Sequence, residues 1–353
     1  MTSSSTVLFR VEAGPEIGLG HLQRSLSLAA ALREAAVGSR FLLSGSPQNV
    51  AYVARLGFSG RVIEATPWTE QDVQQTIQEA ARSEAGAVVV DSRRVPGEYL
   101  ANLRESGFVV IVRDDLARIP LPAHILINGN ADAKQLSYPL DGGGTMFLLG
   151  PEYAVLPSDF WNPVARSVSR TVREVLVLLG GEDPHGMMPG LLRLLDELPG
   201  DFTVTAVIGP FFQNRGEIQK TVAGSRRTLR LMEAPACLYD SMWMADCAIS
   251  GAGQTLYELA CVGCPTLAIP LGPDQEGQME AFERAGFIES VEKGMDGDFP
   301  TRVRQALLRL LGDSSLRASM AKAGQRLVDG QGAHRVVQAI LPMVSTREVK
   351  TLR

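Results

Sequence analysis

A histidine stands between a glycine-containing segment and a helical pattern in EIGLGHLQRSLSLAAAL, residues 16–32. His21 follows Gly18 and Gly20, and Arg24 lies one helical turn further on. The positive field at a helix N-terminus disfavours the imidazolium form, so the pattern predicts a neutral imidazole that can accept a proton. The glycines would let a substrate approach the backbone. A polar residue that only begins the helix is the alternative interpretation of His21.

The same segment does not fit a dinucleotide-binding loop. Gln23 stands where the fingerprint has a third glycine, and the next apolar run ends in SGS, residues 44–46, where an acidic residue would bind a ribose. A nicotinamide cofactor is therefore not expected.

A second strand–turn–helix pattern lies in DCAISGAGQTLYELACVGCPTLAIP, residues 246–270. The strand should end near Ser250 and a helix should run from about 254 to 262, so that free N–H groups of the small-residue turn could bind a diphosphate. Glu258 could accept both hydroxyls of a ribose, unless it is an ordinary surface glutamate. The predicted nucleotide-binding residues are Gly180, Gly181, Met232, Ser250, Gly251, Ala252, Gly253, Gln254, Thr255, Glu258, Asp274 and Gln275.

Acidic residues end two apolar runs of the first half. Asp91 ends VVVD, and Asp114 and Asp115 end VRDD. Carboxylates at strand ends could bind the hydroxyl or amide groups of a sugar, and helix capping or turn formation explains them equally well.

Four cysteines lie in the second half of the chain, two of them in CVGC at 261–264. This pair has the spacing of a metal site but lacks a second pair or histidines at matching distance. The pair also lies at the C-terminal end of a predicted helix, whereas a redox pair lies at the N-terminal end of one. We therefore expect buried thiols, with no metal and no cofactor.

Short β-rich runs alternate with amphipathic stretches, which predicts parallel sheets. One series runs from VLFRV to HILINGN, a Gly- and Pro-rich connector follows at 137–164, and another series begins at REVLVLLGG. We predict two facing Rossmann-like, doubly wound domains of GT-B architecture with a cleft between them. The expected domains cover 1–160 and 161–340, and the expected tail covers 341–353.

Composition excludes several classes of protein. The net charge of -5 and the absence of a dense basic run argue against a nucleic-acid partner. The first residues lack the features of a signal peptide, and no apolar run approaches the ~20 residues that span a bilayer. We expect a cytoplasmic chain without membrane insertion, and a monomer.

The segment FRVEAGPEIGLGHLQRSLSLA resembles the opening of the PseG/SpsG family, the nucleotide-sugar hydrolases of pseudaminic acid biosynthesis. LLGPEYAVLPSDF, LGGEDP and SGAGQTLYELACVGCPTLAIPLGPDQ match in the same order, so the resemblance spans nearly the whole chain. The family is similar to the MurG-type GT-B glycosyltransferases. The matching positions of the opening segment are Arg10, Glu12, Ile17, Gly18, Gly20, His21, Arg24, Leu26, Leu28 and Ala29.

The resemblance implies hydrolysis of a UDP-linked diacetamido-trideoxy sugar at the anomeric carbon, with inversion and without a metal. It implies that His21 activates water. The residues expected on the sugar side are Arg10, Glu12, Gly18, Gly20, Arg24, Asp91 and Asp115. Transfer of the sugar to an acceptor hydroxyl and binding without catalysis stay open as alternatives.

The chain departs from the family pattern at two positions on the sugar side. Glu12 stands where the family has aspartate, and DSRR at 91–94 lacks the aromatic residue that often follows the aspartate in relatives. The nucleotide side is closer to the pattern, so UDP is better defined than the sugar.

Overall fold

The computed structural model describes residues 6–13, 20–139, 144–272, 275–291 and 298–345. The chain divides into two compact units, one formed by residues 1–158 and 331–353 and the other by residues 159–330. Each unit holds a parallel β-sheet whose strands alternate with helices along the chain. The prediction of two doubly wound α/β domains is confirmed.

In its described residues the first unit has a sheet of seven strands. These strands are β1 (Thr6–Glu12), β2 (Gly38–Ser44), β3 (Ser59–Val62), β4 (Ala85–Asp91), β5 (Val109–Arg113), β6 (Ile125–Asn128) and β7 (Met146–Leu149). The helices before residue 106 are α1 (Gly20–Glu34), α2 (Pro47–Arg55), α3 (Glu70–Arg82) and α4 (Gly97–Glu105). The spatial order β3-β2-β1-β4-β5-β6-β7 reverses direction between β1 and β4. Ligands of such sheets bind at this switch point, outside the carboxyl ends of the strands.

The second unit repeats the topology with six strands in its described part. They are β8 (Glu174–Leu178), β9 (Thr203–Ile208), β10 (Leu229–Glu233), β11 (Cys247–Gly251), β12 (Thr266–Ile269) and β13 (Ile288–Ser290). The helices are α5 (Met187–Glu197), α6 (Arg215–Ala223), α7 (Tyr239–Met244), α8 (Thr255–Val262), α9 (Glu276–Arg284), α10 (Phe299–Gly312) and α11 (Ser314–Leu327). The order β10-β9-β8-β11-β12-β13 places the switch point between β8 and β11.

The predicted connector at 137–164 contains a strand. Its residues 146–149 form β7, which pairs in parallel with β6 at the edge of the first sheet. Four residues beside a Gly-rich segment carry too little periodicity to distinguish a strand from a turn, because edge pairing is decided by the neighbouring strand.

The last described helix, α12 (Gly332–Ser345), belongs to the first unit. It buries Val336, Ile340 and Val344, and a methyl group of Val344 lies 3.3 Å from where a Cβ on Gly86 would stand. The observed units therefore change at 158/159 and 330/331, whereas the sequence placed residues 331–340 in the second domain. An amphipathic pattern shows that a helix must bury one face, but it does not show against which sheet.

The central strands of the first sheet are buried on both faces. Val88, Val89 and Val90 of β4 point alternately to opposite faces, and all three are fully buried.

None of the helices within the described ranges is long and apolar enough to cross a bilayer.

The thiols of Cys261 and Cys264 are fully buried, as predicted for the CVGC pair. Burial raises the pKa of Cys261 to about 12 and that of Cys264 to about 11. Gly263 ends α8 between them with a φ of 66°, a left-handed conformation that glycine adopts without strain. Cys237, in contrast, is exposed.

Arg10 holds the first sheet to α3, which corrects its predicted place on the sugar side. Its side chain is fully buried, and it pairs with Asp72 through two hydrogen bonds, 3.0 Å from Nε and 2.6 Å from Nη2. Asp72 also accepts hydrogen bonds from the Trp68 N–H (2.7 Å) and the Tyr99 hydroxyl (2.8 Å). Burial acts to raise the pKa of Asp72, but Arg10 and these donors hold it below its usual range.

Replacing Asp72 by alanine should destabilise the protein strongly, because it leaves the Arg10 charge buried and unpaired. We expect a loss of about 3–5 kcal/mol in the free energy of unfolding, measured by urea titration. Lys134→Ala is the control, because it removes an exposed ion pair with Glu152 that should contribute no more than about 1 kcal/mol. Equal losses in both variants would show that the Arg10 network does not stabilise the fold.

Candidate active site

His21 and Asp91 meet at the switch point of the first sheet. Asp91 is the last residue of β4, and His21 is the second residue of α1, the helix that follows β1. The His21 Nδ1 atom lies 2.7 Å from Asp91 Oδ1, and both residues are buried. Residues 70 positions apart in the chain thus form one polar pair. Both residues are candidates in the sequence, but their contact is not predicted by it.

Arg24 joins this pair to Asp115. Its Nε donates to Asp91 Oδ2 at 2.8 Å, its Nη2 contacts Asp91 Oδ1, and its Nη1 donates to Asp115 Oδ2 at 2.9 Å. The positions one turn apart on α1 explain why His21 and Arg24 reach the same carboxylate. Three predicted sugar-side residues are therefore brought together with the predicted base.

The charges of this cluster determine the protonation of Asp91. Burial acts to raise its pKa, but the Arg24 charge and the hydrogen bonds from His21 and Arg24 outweigh burial and hold the pKa far below the usual range. Burial also acts to raise the pKa of Asp115, and Arg24 and Arg113 likewise hold it low. Both carboxylates are ionised near neutral pH.

An ionised Asp91 fixes which tautomer the imidazole of His21 adopts whenever the ring carries a single proton. A carboxylate can only accept, so the proton of the short contact belongs to His21 Nδ1. The Nη2 atom of Arg24 lies 2.9 Å from His21 Nδ1. It does not donate a hydrogen bond to Nδ1, because a protonated Nδ1 cannot accept one. The lone pair remains on Nε2, for which no hydrogen bond is found within the described ranges. In this tautomer Nε2 is the nitrogen that can accept a proton.

Glu12, which was expected on the sugar side, is paired with protein groups. Its side chain is buried, Arg94 Nη2 donates to Oε1 at 2.7 Å, and the Ser92 hydroxyl contacts Oε2. The chain differs from the family pattern at Glu12 and at DSRR, residues 91–94. These two positions are in contact, because Glu12 pairs with Arg94.

Two further residues that the sequence analysis named, Gly20 and Asp114, lie near this edge of the sheet. Gly20 begins α1, and a Cβ there would meet no atom within 4 Å. Asp114 accepts from the N–H of Ala117 at 2.6 Å, which is turn formation, and burial raises its pKa. Gly18 lies outside the described residues, as does Asp274 of the second unit.

In the second unit, the turn between β11 and α8 presents main-chain donors. The N–H groups of Gly253, Gln254 and Thr255 have no protein acceptor in the part of the chain that the structure describes. They precede or begin an eight-residue helix, where the field is positive. This arrangement suits an anion such as a diphosphate.

The residues just before these donors are packed inside the protein. The Ser250 hydroxyl is buried and donates to the Gly251 carbonyl at 2.8 Å. A Cβ on Gly251 would stand 2.8 Å from Leu271, and Ala252 is fully buried. For Ser250, Gly251 and Ala252 the predicted nucleotide contact is therefore corrected to support of the turn.

Gln278 holds this turn in place and was missed by the sequence analysis. Its Nε2 donates to the Ala252 carbonyl at 2.8 Å, and its Oε1 accepts from the Tyr257 hydroxyl at 3.0 Å. Gln275 accepts from the Leu271 N–H at 3.0 Å. Gln278 closes the segment DQEGQ, so an amide one turn beyond Gln275 was the available signal.

Gly180 and Gly181 follow β8, on the other side of the switch point, and both are exposed. Gly180 has a φ of 95°, which favours glycine. The Gly181 carbonyl accepts from the Phe211 N–H at 3.0 Å, which ties this loop to the loop after β9. Met232 lies on β10, half-buried, and its sulfur accepts from the Ser241 hydroxyl at 3.6 Å.

Glu258 differs from the other carboxylates described above. It lies in the first turn of α8, half-buried, and makes no ion pair or hydrogen bond with any residue that the structure describes. Burial alone raises the pKa of Glu258 to about 7. An unpaired carboxylate in such surroundings is available to hydroxyl donors.

No protein-family model matches the chain. Over 346 residues it is 25% identical to the spore coat polysaccharide biosynthesis protein SpsG of Bacillus subtilis, covering 96% of this chain and 98% of that protein. It is 24% identical over 268 residues to an uncharacterized protein of Methanocaldococcus jannaschii, of which it covers about half (53%). A Helicobacter pylori protein named as a pseudaminic acid cytidylyltransferase and UDP-2,4-diacetamido-2,4,6-trideoxy-beta-L-altropyranose hydrolase is 27% identical over 135 residues, 24% of its length.

Solved structures match along nearly the whole chain. MurG of Acinetobacter baumannii has a TM-score of 0.70 at 15% identity, covering 96% of this chain and 99% of that one. The UDP complex of Staphylococcus aureus MnaA has a TM-score of 0.65 at 13% identity, covering 97% and 98%. These likenesses confirm the predicted GT-B fold.

Proposed function

We propose that this chain is an enzyme that cleaves a UDP-linked sugar at the anomeric carbon, with water as the nucleophile, and releases UDP and free sugar. The observation that carries the proposal is the 2.7 Å contact between His21 Nδ1 and Asp91, because it leaves Nε2 as a proton acceptor at the ligand edge of the first sheet. The 27% identity over 135 residues to the Helicobacter pylori protein whose name includes a UDP-sugar hydrolase supports the same chemistry.

In the proposed reaction, His21 Nε2 takes a proton from water as the water oxygen bonds to the anomeric carbon. The imidazolium that forms is stabilised by Asp91, which stays ionised. The bond between the anomeric carbon and the diphosphate oxygen breaks, and the electron pair leaves with UDP. Attack opposite the leaving group inverts the anomeric configuration.

The second unit offers groups suited to UDP. The N–H groups of residues 253–255 can take up the charge of the leaving diphosphate, so that little general acid is needed. Glu258 can accept hydrogen bonds from the two ribose hydroxyls, since it has no partner among the described residues. Gly180 and Gly181 can border the same diphosphate.

Transfer to an acceptor hydroxyl is the second candidate function. Structures named as glycosyltransferases, such as the calicheamicin enzyme CalG4 with a TM-score of 0.63, share the fold of this chain. The base and the anion site would act in the same way on an alcohol, so the acceptor has to be identified by experiment. Binding without catalysis is a third alternative.

Incubation with UDP-sugars in heavy-oxygen water identifies the reaction. We expect free sugar that carries the heavy oxygen in its anomeric hydroxyl and has the inverted configuration, together with unlabelled UDP. NMR measures the configuration, and mass spectrometry measures the label in each product. Label in the phosphate would mean attack at phosphorus. Turnover only after an acceptor alcohol is added would favour the transferase.

Replacing His21 by alanine or asparagine should lower kcat by about 10²–10⁴-fold, the contribution of a general base. The affinity for UDP, measured by calorimetry, should be unchanged because the proposed UDP ligands are in the other unit. His185→Ala is the matched control, since His185 is an exposed loop histidine that contacts the Leu271 carbonyl. A kcat within twofold of the native value in His21→Ala would exclude His21 as the base.

UDP affinity should depend on the ionisation of Glu258. Its pKa of about 7 means that protonation removes the ribose acceptor below neutral pH, so affinity should fall by up to about tenfold per pH unit as the pH drops below 7. Because UDP itself titrates near pH 6, Glu258→Gln is measured in parallel as the reference. Identical pH profiles of the two proteins would remove Glu258 from the ribose site.

A further inference from the structure

Two carboxylates follow neighbouring strands at the ligand edge of the first sheet. Asp115 lies two residues after β5, and Asp132 lies four residues after β6. Because β5 and β6 pair in parallel, both segments leave the sheet at its carboxyl edge, where His21 and Asp91 meet. Burial raises the pKa of Asp132, and the charge of Asp115 raises it further, as expected for two acids that lie close together.

Each of these carboxylates has a buried oxygen without a protein donor. Asp115 exposes 6% of its side chain, and its Oδ2 accepts from Arg24 at 2.9 Å. Its Oδ1 has no hydrogen bond within the described ranges, and neither has the Oδ1 of half-buried Asp132. Buried polar atoms are nearly always hydrogen-bonded, so two such oxygens at a ligand edge indicate a ligand that donates hydrogen bonds.

The hydroxyl of Tyr138 does not supply the missing donor. The charges of Asp115 and Asp132 add to burial in raising the pKa of Tyr138, so the phenol lies near both acids. It donates to the Asp114 carbonyl at 3.3 Å and accepts from Asn128 Nδ2 at 2.7 Å. The single proton of this hydroxyl is therefore already used within the protein.

The two oxygens suit an ammonium group better than a neutral donor. Asp115 is ionised, because Arg24 and Arg113 outweigh its burial and hold its pKa low. An ammonium has three N–H donors and a positive charge, so it can donate to both Oδ1 atoms at once. An amide N–H or a hydroxyl has one proton and no charge, and its hydrogen bond to a carboxylate is weaker.

The site lies beside the candidate base. Arg24 Nη1 is 2.9 Å from Asp115 Oδ2, and Arg24 Nη2 is 2.9 Å from His21 Nδ1, so one guanidinium group separates the carboxylate from the imidazole. In the proposed reaction His21 acts at the anomeric carbon of the sugar. The ring neighbours of that carbon are C2 and the ring oxygen, and only C2 carries a substituent. The C2 substituent is therefore the one within reach of Asp115.

We propose that Asp115 Oδ1 and Asp132 Oδ1 bind a protonated amino group at C2 of the sugar, so that the substrate class is a UDP-linked 2-amino sugar with an unacylated amine. This inference rests on the proposed function. The diacetamido sugar in the name of the Helicobacter pylori relative has acylated, uncharged nitrogens, so it would offer these oxygens an amide N–H instead.

UDP-glucosamine, UDP-N-acetylglucosamine and UDP-glucose test the inference, because they differ only in the amine, amide or hydroxyl at C2. At a pH where the amine is protonated, we expect kcat/KM for UDP-glucosamine to exceed that for each of the others by about tenfold or more, the contribution of a charge-assisted hydrogen bond. Asp132→Asn keeps the shape of the side chain and removes its charge, so it should remove most of this preference. The affinity of this variant for UDP itself should equal that of the native protein, because UDP lacks the sugar.

Glu98→Gln is the matched control, since it removes one exposed carboxylate from the first turn of α4 in the same unit and should keep the preference. A native protein without preference for UDP-glucosamine, or an undiminished preference in Asp132→Asn, would overturn the inference. A higher kcat/KM for UDP-N-acetylglucosamine than for UDP-glucosamine would assign the two oxygens to an amide and contradict the ammonium site.

Failure of the proposed function gives a different result. If none of the three compounds is hydrolysed, calorimetry with the same nucleotide sugars still measures the preference. Tighter binding of UDP-glucosamine that is lost in Asp132→Asn supports the ammonium site, and equal affinities reject it. Absence of turnover then counts against hydrolysis, and absence of preference counts against the ammonium site.

Discussion

The candidate active site of the first unit depends on one buried carboxylate. Asp91 ends β4, accepts from His21 and Arg24 of α1, and is 3.8 Å from Arg113 of β5. Its desolvation is offset by these partners, and removal of the carboxylate would leave Arg24 and Arg113 with Asp115 as their remaining carboxylate partner in this cluster. The same interaction orients the imidazole and fixes which of its nitrogens can accept a proton. Stability and chemistry are therefore coupled at this residue.

Asp91 and Glu258 show that the environment of a buried carboxylate decides whether it holds protein groups in place or is available to bind a ligand. Both lose solvent, but Asp91 is paired with cations and its pKa lies far below the usual range, whereas Glu258 has no partner among the described residues and its pKa rises to about 7. A carboxylate with every acceptor position occupied holds other groups in place. A carboxylate that is desolvated and unpaired gains most from hydroxyl donors of a ligand.

Both units use the same device, a helix that begins at the switch point of a parallel sheet. In the first unit this helix carries the candidate base, and in the second the corresponding turn presents N–H groups. The support differs: Asp91 holds the first by ion pairing, and Gln278 holds the second through the Ala252 carbonyl. The negative charge of Asp91 stabilises a histidine that gains positive charge. The uncharged amide of Gln278 does not cancel the positive field at the start of α8, which stays available to an anion.

The sequence by itself determined the alternation of strands and helices, because apolar periodicity and small-residue turns are local properties. It therefore predicted two doubly wound units, His21 after β1, and the turn before Glu258. It could not determine pairings between distant residues. Arg10, Glu12 and Ser250 looked like ligands, but each is buried on a protein partner, and α12 returns to the first unit. Only the tertiary structure decides which polar groups face each other and which remain for a ligand, because burial and pairing depend on residues far apart in the chain.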